Sequence, residues 1–300
     1  MKVLITGANG LLGQYLVKLL LGKKYTVIAT GRGASRLPLE GHTRYKYYSL
    51  DITEDQSLHD VIATVKPECI IHAAAMTQVD DCEIKKEEAF KINVSGTLKL
   101  MGFAEEYSQH FIFISTDFVF DGKKGNYTED ELTEPISWYG FTKMQAEQFV
   151  HHCKIPSTIV RTCLVYGNSI PGGRHNIISW VKDQLEKKER IKVVDDQWRT
   201  PTWAGDLANG ISLAIEKKAL GIFHISGKDL LTPYQMALKT ADFFSLDKSL
   251  IERVNATTFT QPALRPPKTG FVIEKARMKL GYEPLSFAEG LKQMAVESSS

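Results

Sequence analysis

Thr6-Gly7-Ala8-Asn9-Gly10-Leu11-Leu12-Gly13 follows directly on the apolar run Val3-Leu4-Ile5. Behind the glycines, Leu11, Leu12, Tyr15, Leu16, Leu19 and Leu20 recur at helical spacing. An apolar run, a glycine-spaced turn and an amphipathic stretch read as strand, tight loop and helix. Glycine lets such a loop approach a pyrophosphate, and the helix start offers that anion free N–H groups and a positive dipole end. A second apolar run at 26–30 completes the unit, which makes a dinucleotide site the expectation at the first strand–helix junction.

Outward from this unit the alternation continues. Strands are expected at 2–6, 26–30, 45–49, 69–73, 111–115 and 157–161, with helices near 11–21, 56–65, 83–107 and 138–152. Strands that alternate with helices predict a doubly wound parallel sheet, which binds ligands beyond the carboxyl ends of its strands. Gly7, Asp51, Ala74 and Thr116 all stand just past such ends. After Gly167 the pattern changes. A Pro171-Gly172-Gly173 loop precedes a helix at 177–187 and a short strand at 191–194. A helix near 207–215 and a strand at 222–225 return to the main sheet. The proline-bearing remainder reads as a small irregular lobe that ends in a helix near 287–295, with a frayed tail at 298–300. The division that follows is 1–166 with 202–226 as the dinucleotide-binding domain and 167–201 with 227–300 as a substrate-binding lobe.

The 300 residues, 43% hydrophobic and 24% charged, have the composition of an ordinary globule. A net charge of +2 gives nucleic-acid binding no support, and Lys85-Lys86 and Lys187-Lys188 are each followed by acidic residues. No apolar run approaches the roughly 20 residues of a membrane span, and with a strand expected at 2–6 no leader is expected. Cys69, Cys82, Cys153 and Cys163 lack metal-ligand spacing and read as free thiols in a reducing, cytoplasmic setting, Cys69 and Cys163 in the core. No metal site is expected.

Of eleven tyrosines, only Tyr139 is followed by a lysine four residues on, Lys143. The two share one face of a helix. An unperturbed phenol ionises near about 10, and a nearby ammonium lowers that value, which suits the phenol to proton transfer. Thr116 ends the apolar run 111–115 and brings a hydroxyl for a substrate oxygen. At the end of the second strand, Thr30-Gly31-Arg32-Gly33 carries no acid for a ribose and places Arg32 where a 2′-phosphate would lie. NADP(H) is therefore favoured over NAD(H), which stays open. Asp51 is expected near the adenine amino group.

The G-x-x-G-x-x-G spacing and the Tyr-x-x-x-Lys pair resemble the extended short-chain dehydrogenase/reductases, which have a Rossmann-type sheet. Over nearly its full length the chain is similar to the dTDP-4-dehydrorhamnose reductase family. Residues 74–83 follow that family's A-A-x-T-x-V-D-x-x-E segment, and Ser115-Thr116-Asp117-Phe118-Val119-Phe120-Asp121-Gly122 follows its S-T-D-[YF]-V-F-D-G stretch. Asp196-Gln197, Pro201-Thr202 and Asp206-Leu207-Ala208 match a D-Q-x-G-x-P-T…D-L-A run, and Ala263-Leu264-Arg265-Pro266 matches A-x-R-P. Leu164 replaces a tryptophan of the pattern, while Trp198 and Arg199 stand in the D-Q-x-G run, Arg199 at its glycine.

The resemblance implies reduction of a 4-keto nucleotide-sugar, with Thr116, Tyr139 and Lys143 catalytic. It implies cofactor contacts from Gly7, Asn9, Gly10, Leu11, Leu12 and Gly13, then from Arg32, Asp51 and Ile52. Ala73, Ala74, Ala75, Asn93, Tyr139 and Lys143 complete that set. On the substrate side it implies Thr77, Val79, Asp80, Thr116, Asp117, Gln197 and Arg265, with Arg265 on the diphosphate. A 4,6-dehydratase would follow the threonine with Asp-Glu, and here Phe118 takes the second place. A 4-epimerase stays open, as does a non-catalytic regulatory subunit like that of methionine adenosyltransferase, and so does a homodimer.

Overall fold

The computed structural model describes residues 1–298. In chain order the strands are β1 (Lys2–Thr6), β2 (Thr26–Gly31), β3 (Tyr45–Ser49), β4 (Cys69–His72), β5 (His110–Thr116) and β6 (Ser157–Thr162). They are followed by β7 (Val165–Tyr166), β8 (Ile191–Val194), β9 (Thr202–Trp203), β10 (Gly221–His224) and β11 (Ile251–Val254). The helices of the first half are α1 (Leu11–Gly22), α2 (Asp55–Val65), α3 (Val79–Ile84), α4 (Lys86–Phe90), α5 (Gly96–Ala104) and α6 (Trp138–His151). Those of the second half are α7 (Ile177–Glu186), α8 (Ala204–Glu216), α9 (Pro233–Phe243), α10 (Glu274–Leu280) and α11 (Phe287–Ser298).

Seven strands form one parallel sheet in the order β10-β6-β5-β4-β1-β2-β3. Successive side chains of a strand point to opposite faces, so both faces must be apolar when helices cover both. On β1, Val3 and Ile5 pack with Leu16, Leu20, Leu207 and Ile211 of α1 and α8 on one side. Leu4 packs on the other with Leu58, Ile62 and Leu100 of α2 and α5. The order reverses between β1 and β4, and a crevice at the carboxyl ends of these two strands is where such a sheet takes a ligand.

Two expectations need correction. The single helix expected at 83–107 is three helices, with a π-helical turn at Lys91–Ser95 between α4 and α5. The extra residue of a π turn re-aims side chains, and here it turns Asn93 into the interior. The lobe after β10 is also more regular than its prolines suggest. It holds α9, β11 and α10, with β11 paired in parallel to β8. The signal for α9 was present: Thr232-Pro233-Tyr234-Gln235 forms a capping box with proline at the first turn. Of the tail expected at 298–300, Ser298 closes α11, and 299 and 300 lie outside the described residues. Among the described residues no helix is long and apolar enough to cross a membrane.

Candidate active site

The β1–α1 turn is a cradle for an anion. Gly7 has φ +72°, and a Cβ there would stand 2.9 Å from the Ala74 amide nitrogen and 3.0 Å from the Ala73 carbonyl. The loop after β4 thus leans on the glycine loop, a contact open only to glycine. Gly10 caps α1 and supplies no side-chain acceptor to the N–H groups that follow, Leu11 and Leu12 among them. Those groups are therefore left to a ligand. A dinucleotide pyrophosphate fits this cradle.

What holds the two loops together was not legible in the sequence. His72 is buried between two hydroxyls, Nδ1 at 2.7 Å from Thr6 Oγ1 and Nε2 at 3.0 Å from Thr97 Oγ1. Thr6 Oγ1 in turn accepts the Ala74 N–H at 3.1 Å. Burial pulls His72 down to about 3, with the Lys143 charge adding to the effect, so this tie works through a neutral ring. Asn93 clamps the same loop from the other side. Its Oδ1 accepts from Met76 N at 2.8 Å, and its Nδ2 donates to Met76 O and to Thr142 Oγ1, both at 3.0 Å. The three alanines 73–75 therefore line the crevice as backbone.

In the loop after β2 Arg32 is exposed. The carboxylate of Asp51 accepts from the Thr53 amide and hydroxyl at 2.9 and 2.8 Å, which makes it a cap for its own turn. Ile52 is buried against Gly96. Asn9 reaches across to the loop after β2, donating to Ala34 O at 2.9 Å and Tyr47 Oη at 3.0 Å and accepting from Arg36 N at 3.0 Å. Arg36, which sequence reasoning passed over, stands in the same loop as Arg32 and donates to Gly172 O at 3.0 Å.

Thr116, Tyr139 and Lys143 come together where β5 ends. A Cβ on Gly140 would lie 2.1 Å from the Phe118 carbonyl, so α6 packs directly on the 3₁₀ turn after β5. The start of α6 is fixed twice. Ser137 accepts from Gly140 N at 3.3 Å, and Glu83 of α3 accepts from Trp138 N at 2.9 Å. Tyr139 is 9% exposed and Lys143 3%. Burial pushes the Tyr139 phenol above its ordinary value, the bond from Thr116 opposes this, and Asp117 adds to the rise. Burial pulls Lys143 down to about 7, against the attraction of Glu147, and its nitrogen rests 3.9 Å from the centre of the Phe113 ring.

The expected substrate-side residues divide. Asp80 and Arg265 meet directly, Thr77 is exposed and accepts from Arg174 at 3.4 Å, and Val79 packs against the Cys82–Ala89–Tyr139 cluster. Asp117 and Gln197 are buried, Asp117 bonded to Thr116 and Gln197 to Arg199. All four cysteines are free, Cys69, Cys82 and Cys163 buried and Cys153 partly so.

The family model described as RmlD substrate binding domain matches residues 1–300. The chain belongs to this family. It is 30% identical to a dTDP-4-dehydrorhamnose reductase of Aggregatibacter actinomycetemcomitans, over 98% of both chains. It is 30% identical to methionine adenosyltransferase 2 subunit beta of Rattus norvegicus, over 83% of this chain and 73% of that one. Among solved structures it resembles the dTDP-4-dehydrorhamnose reductase of Bacillus anthracis in complex with NADP, with a TM-score of 0.86, 28% identity and 99% of each chain covered. Family membership and fold thus agree with the glycine spacing, the Tyr/Lys pair and the seven-stranded parallel sheet.

Proposed function

We propose that this protein reduces a 4-keto nucleotide-sugar, dTDP-4-dehydrorhamnose, with NADPH. The observation that carries the reading is the meeting of Tyr139, Lys143 and Thr116 at the end of β5, across the crevice from the Gly7 cradle. When bound, the dinucleotide supplies the hydride to the ketone carbon. Tyr139, held neutral by burial, is then the acid whose O–H proton goes to the substrate oxygen. Lys143, one turn further along α6, stabilises the phenolate left behind, and Thr116 Oγ1, whose own proton goes to Asp117, accepts from the hydroxyl that the reduction forms.

The cofactor set is Gly7, Asn9, Gly10, Leu11, Leu12, Gly13, Arg32, Asp51, Ile52, Ala73, Ala74, Ala75, Asn93, Tyr139 and Lys143. Arg32 faces the 2′-phosphate, and Asn9 and Asn93 act by shaping the neighbouring loops. Thr77, Val79, Asp80, Thr116 and Asp117 from the dinucleotide-binding domain, with Gln197 and Arg265 from the lobe formed by 167–201 and 227–300, bound the sugar-nucleotide side. The free cysteines suit a reducing cytoplasm. A homodimer is the assembly to look for, by sedimentation. Phe118, in place of a second carboxylate, argues against water elimination.

The deciding experiment supplies NADPH and a panel of dTDP- and UDP-linked 4-keto sugars and follows NADPH oxidation. Turnover with the dTDP-4-keto-6-deoxy sugar is expected. Tightly retained NAD with interconversion of 4-epimers would favour an epimerase. Stoichiometric capture of a methionine adenosyltransferase catalytic subunit, with no turnover, would favour a regulatory role.

A further inference from the structure

Arg199 is 3% exposed in the segment 197–200, which is paired on both sides. Its amide donates to Leu231 O at 2.9 Å and its carbonyl accepts from Leu231 N at 2.8 Å, while Trp198 N donates to Pro267 O at 2.7 Å. Its Nη1 donates to the carbonyls of Trp198 at 2.8 Å and Pro267 at 3.2 Å, and its Nη2 to Gln197 Oε1 at 3.3 Å. These acceptors are all neutral. Among the described residues its ion-pair partner is Asp117, with Nε 3.8 Å from Oδ2.

Asp117 is equally buried, at 3% exposed, and immediately follows Thr116. Its Oδ1 accepts from the Thr116 hydroxyl at 3.1 Å. Its Oδ2 accepts from the Cys163 thiol at 3.2 Å and from the Thr269 hydroxyl. Three donors converge on it, as an ionised carboxylate requires, since that form accepts only. A carboxyl that carried a proton would have to donate it to one of these three groups, which would break the arrangement that holds the Thr116 hydroxyl.

We propose that Arg199 is a positioning residue of the reduction: as the buried counter-charge of Asp117, it keeps that carboxylate an acceptor and so fixes the Thr116 hydroxyl beside Tyr139. The catalytic half of this inference rests on the reductase reading above. A buried carboxylate stripped of its counter-charge is costly, and it escapes the cost by taking a proton.

The test compares Arg199→Met, Arg199→Lys and the double variant Arg199→Met/Asp117→Asn. Infrared difference spectra of Arg199→Met against wild type are expected to show the carbonyl stretch of a protonated carboxyl, and the double variant to lack it. With NADPH and dTDP-4-dehydrorhamnose, Arg199→Met should lose about tenfold or more in kcat, the scale of a misoriented catalytic group, while KM and the NADPH Kd stay within about threefold. Arg199→Lys keeps the charge and should stay within about threefold of wild-type kcat. Absence of the carboxyl band, or an Arg199→Met kcat within about threefold of wild type, overturns the proposal. Should Arg199→Met fail to fold, Asp117→Asn preserves shape and must show the same kcat loss at unchanged KM, and wild-type turnover there also overturns it. A wild-type protein inactive on every 4-keto sugar would remove the reductase reading, while the infrared band still decides whether Arg199 sets the charge of Asp117.

Discussion

Arg265 grips Asp80 with both terminal nitrogens, Nη1 to Oδ1 at 3.0 Å and Nη2 to Oδ2 at 2.7 Å. Asp80 also accepts the Ala263 amide at 3.2 Å, and its carboxyl is held below the usual range chiefly by the bond from Arg265. The fork therefore closes the C-terminal segment onto the first turn of α3. A sugar diphosphate that uses Arg265 has to compete with this carboxylate.

The first prediction follows from that competition. Arg265→Ala should weaken dTDP binding about tenfold or more, the worth of a charged hydrogen bond, and leave NADPH affinity unchanged. Asp80→Asn should act in the opposite direction, strengthening dTDP binding by up to about fivefold, because a half-exposed pair is worth at most about 1 kcal/mol. Calorimetric titration of each variant with both ligands checks the pair of signs. Weaker dTDP binding by Asp80→Asn would make Asp80 a ligand and not a competitor.

Tyr139→Phe keeps the ring and removes the proton. We expect turnover to fall by about 10² to 10⁴ while NADPH binds nearly as before. A variant retaining more than about a tenth of wild-type kcat would show that another group gives the proton.

Arg32 is expected to set the cofactor preference. It is exposed, and Thr30-Gly31-Arg32-Gly33 holds no acid to repel a 2′-phosphate. NADPH should bind about ten- to a hundredfold more tightly than NADH, matching a charge-assisted contact of about 1.5–3 kcal/mol. Fluorescence titration of Arg32→Ala should erase most of that difference, and Arg36→Ala, one turn of loop away, should erase less.

Lys143 gives the cofactor-free protein a pH signature. Burial lowers it to about 7, whereas an unfolded lysine ionises near about 10.4. Between those values the unfolded chain binds the additional proton, so stability rises with pH from about 7 upward, by as much as about 1.4 kcal/mol per unit. Below about 7 both states are protonated and the contribution is flat. Urea melts from pH 7 to 9 should show this rise in wild type and its loss in Lys143→Met. Equal slopes would mean that Lys143 stays charged in the fold.

The parts legible in the sequence are those written in short-range patterns. Val3, Leu4 and Ile5 announce a strand buried on both faces, the glycines announce the turn, and the four-residue step from Tyr139 to Lys143 announces a shared helix face. Each depends on backbone geometry within one or two turns, so the chain alone states it. The capping box at Thr232–Gln235 belongs to the same class, with Pro233 at the first turn of its helix.

What only the tertiary structure decided are the pairings between distant segments. Arg265 finds Asp80 across 185 positions, His72 bridges Thr6 and Thr97, Glu83 caps α6, and Arg199 comes to rest on Asp117. A lone arginine or histidine carries no spacing signal for its partner. The partner is set by which loops the parallel sheet gathers at one edge, and the charge state by how completely they exclude water. Lys143 makes the same point from inside a motif. Its place on the helix is fixed by sequence, but the drop to about 7 comes from burial against Phe113, which only the folded chain supplies.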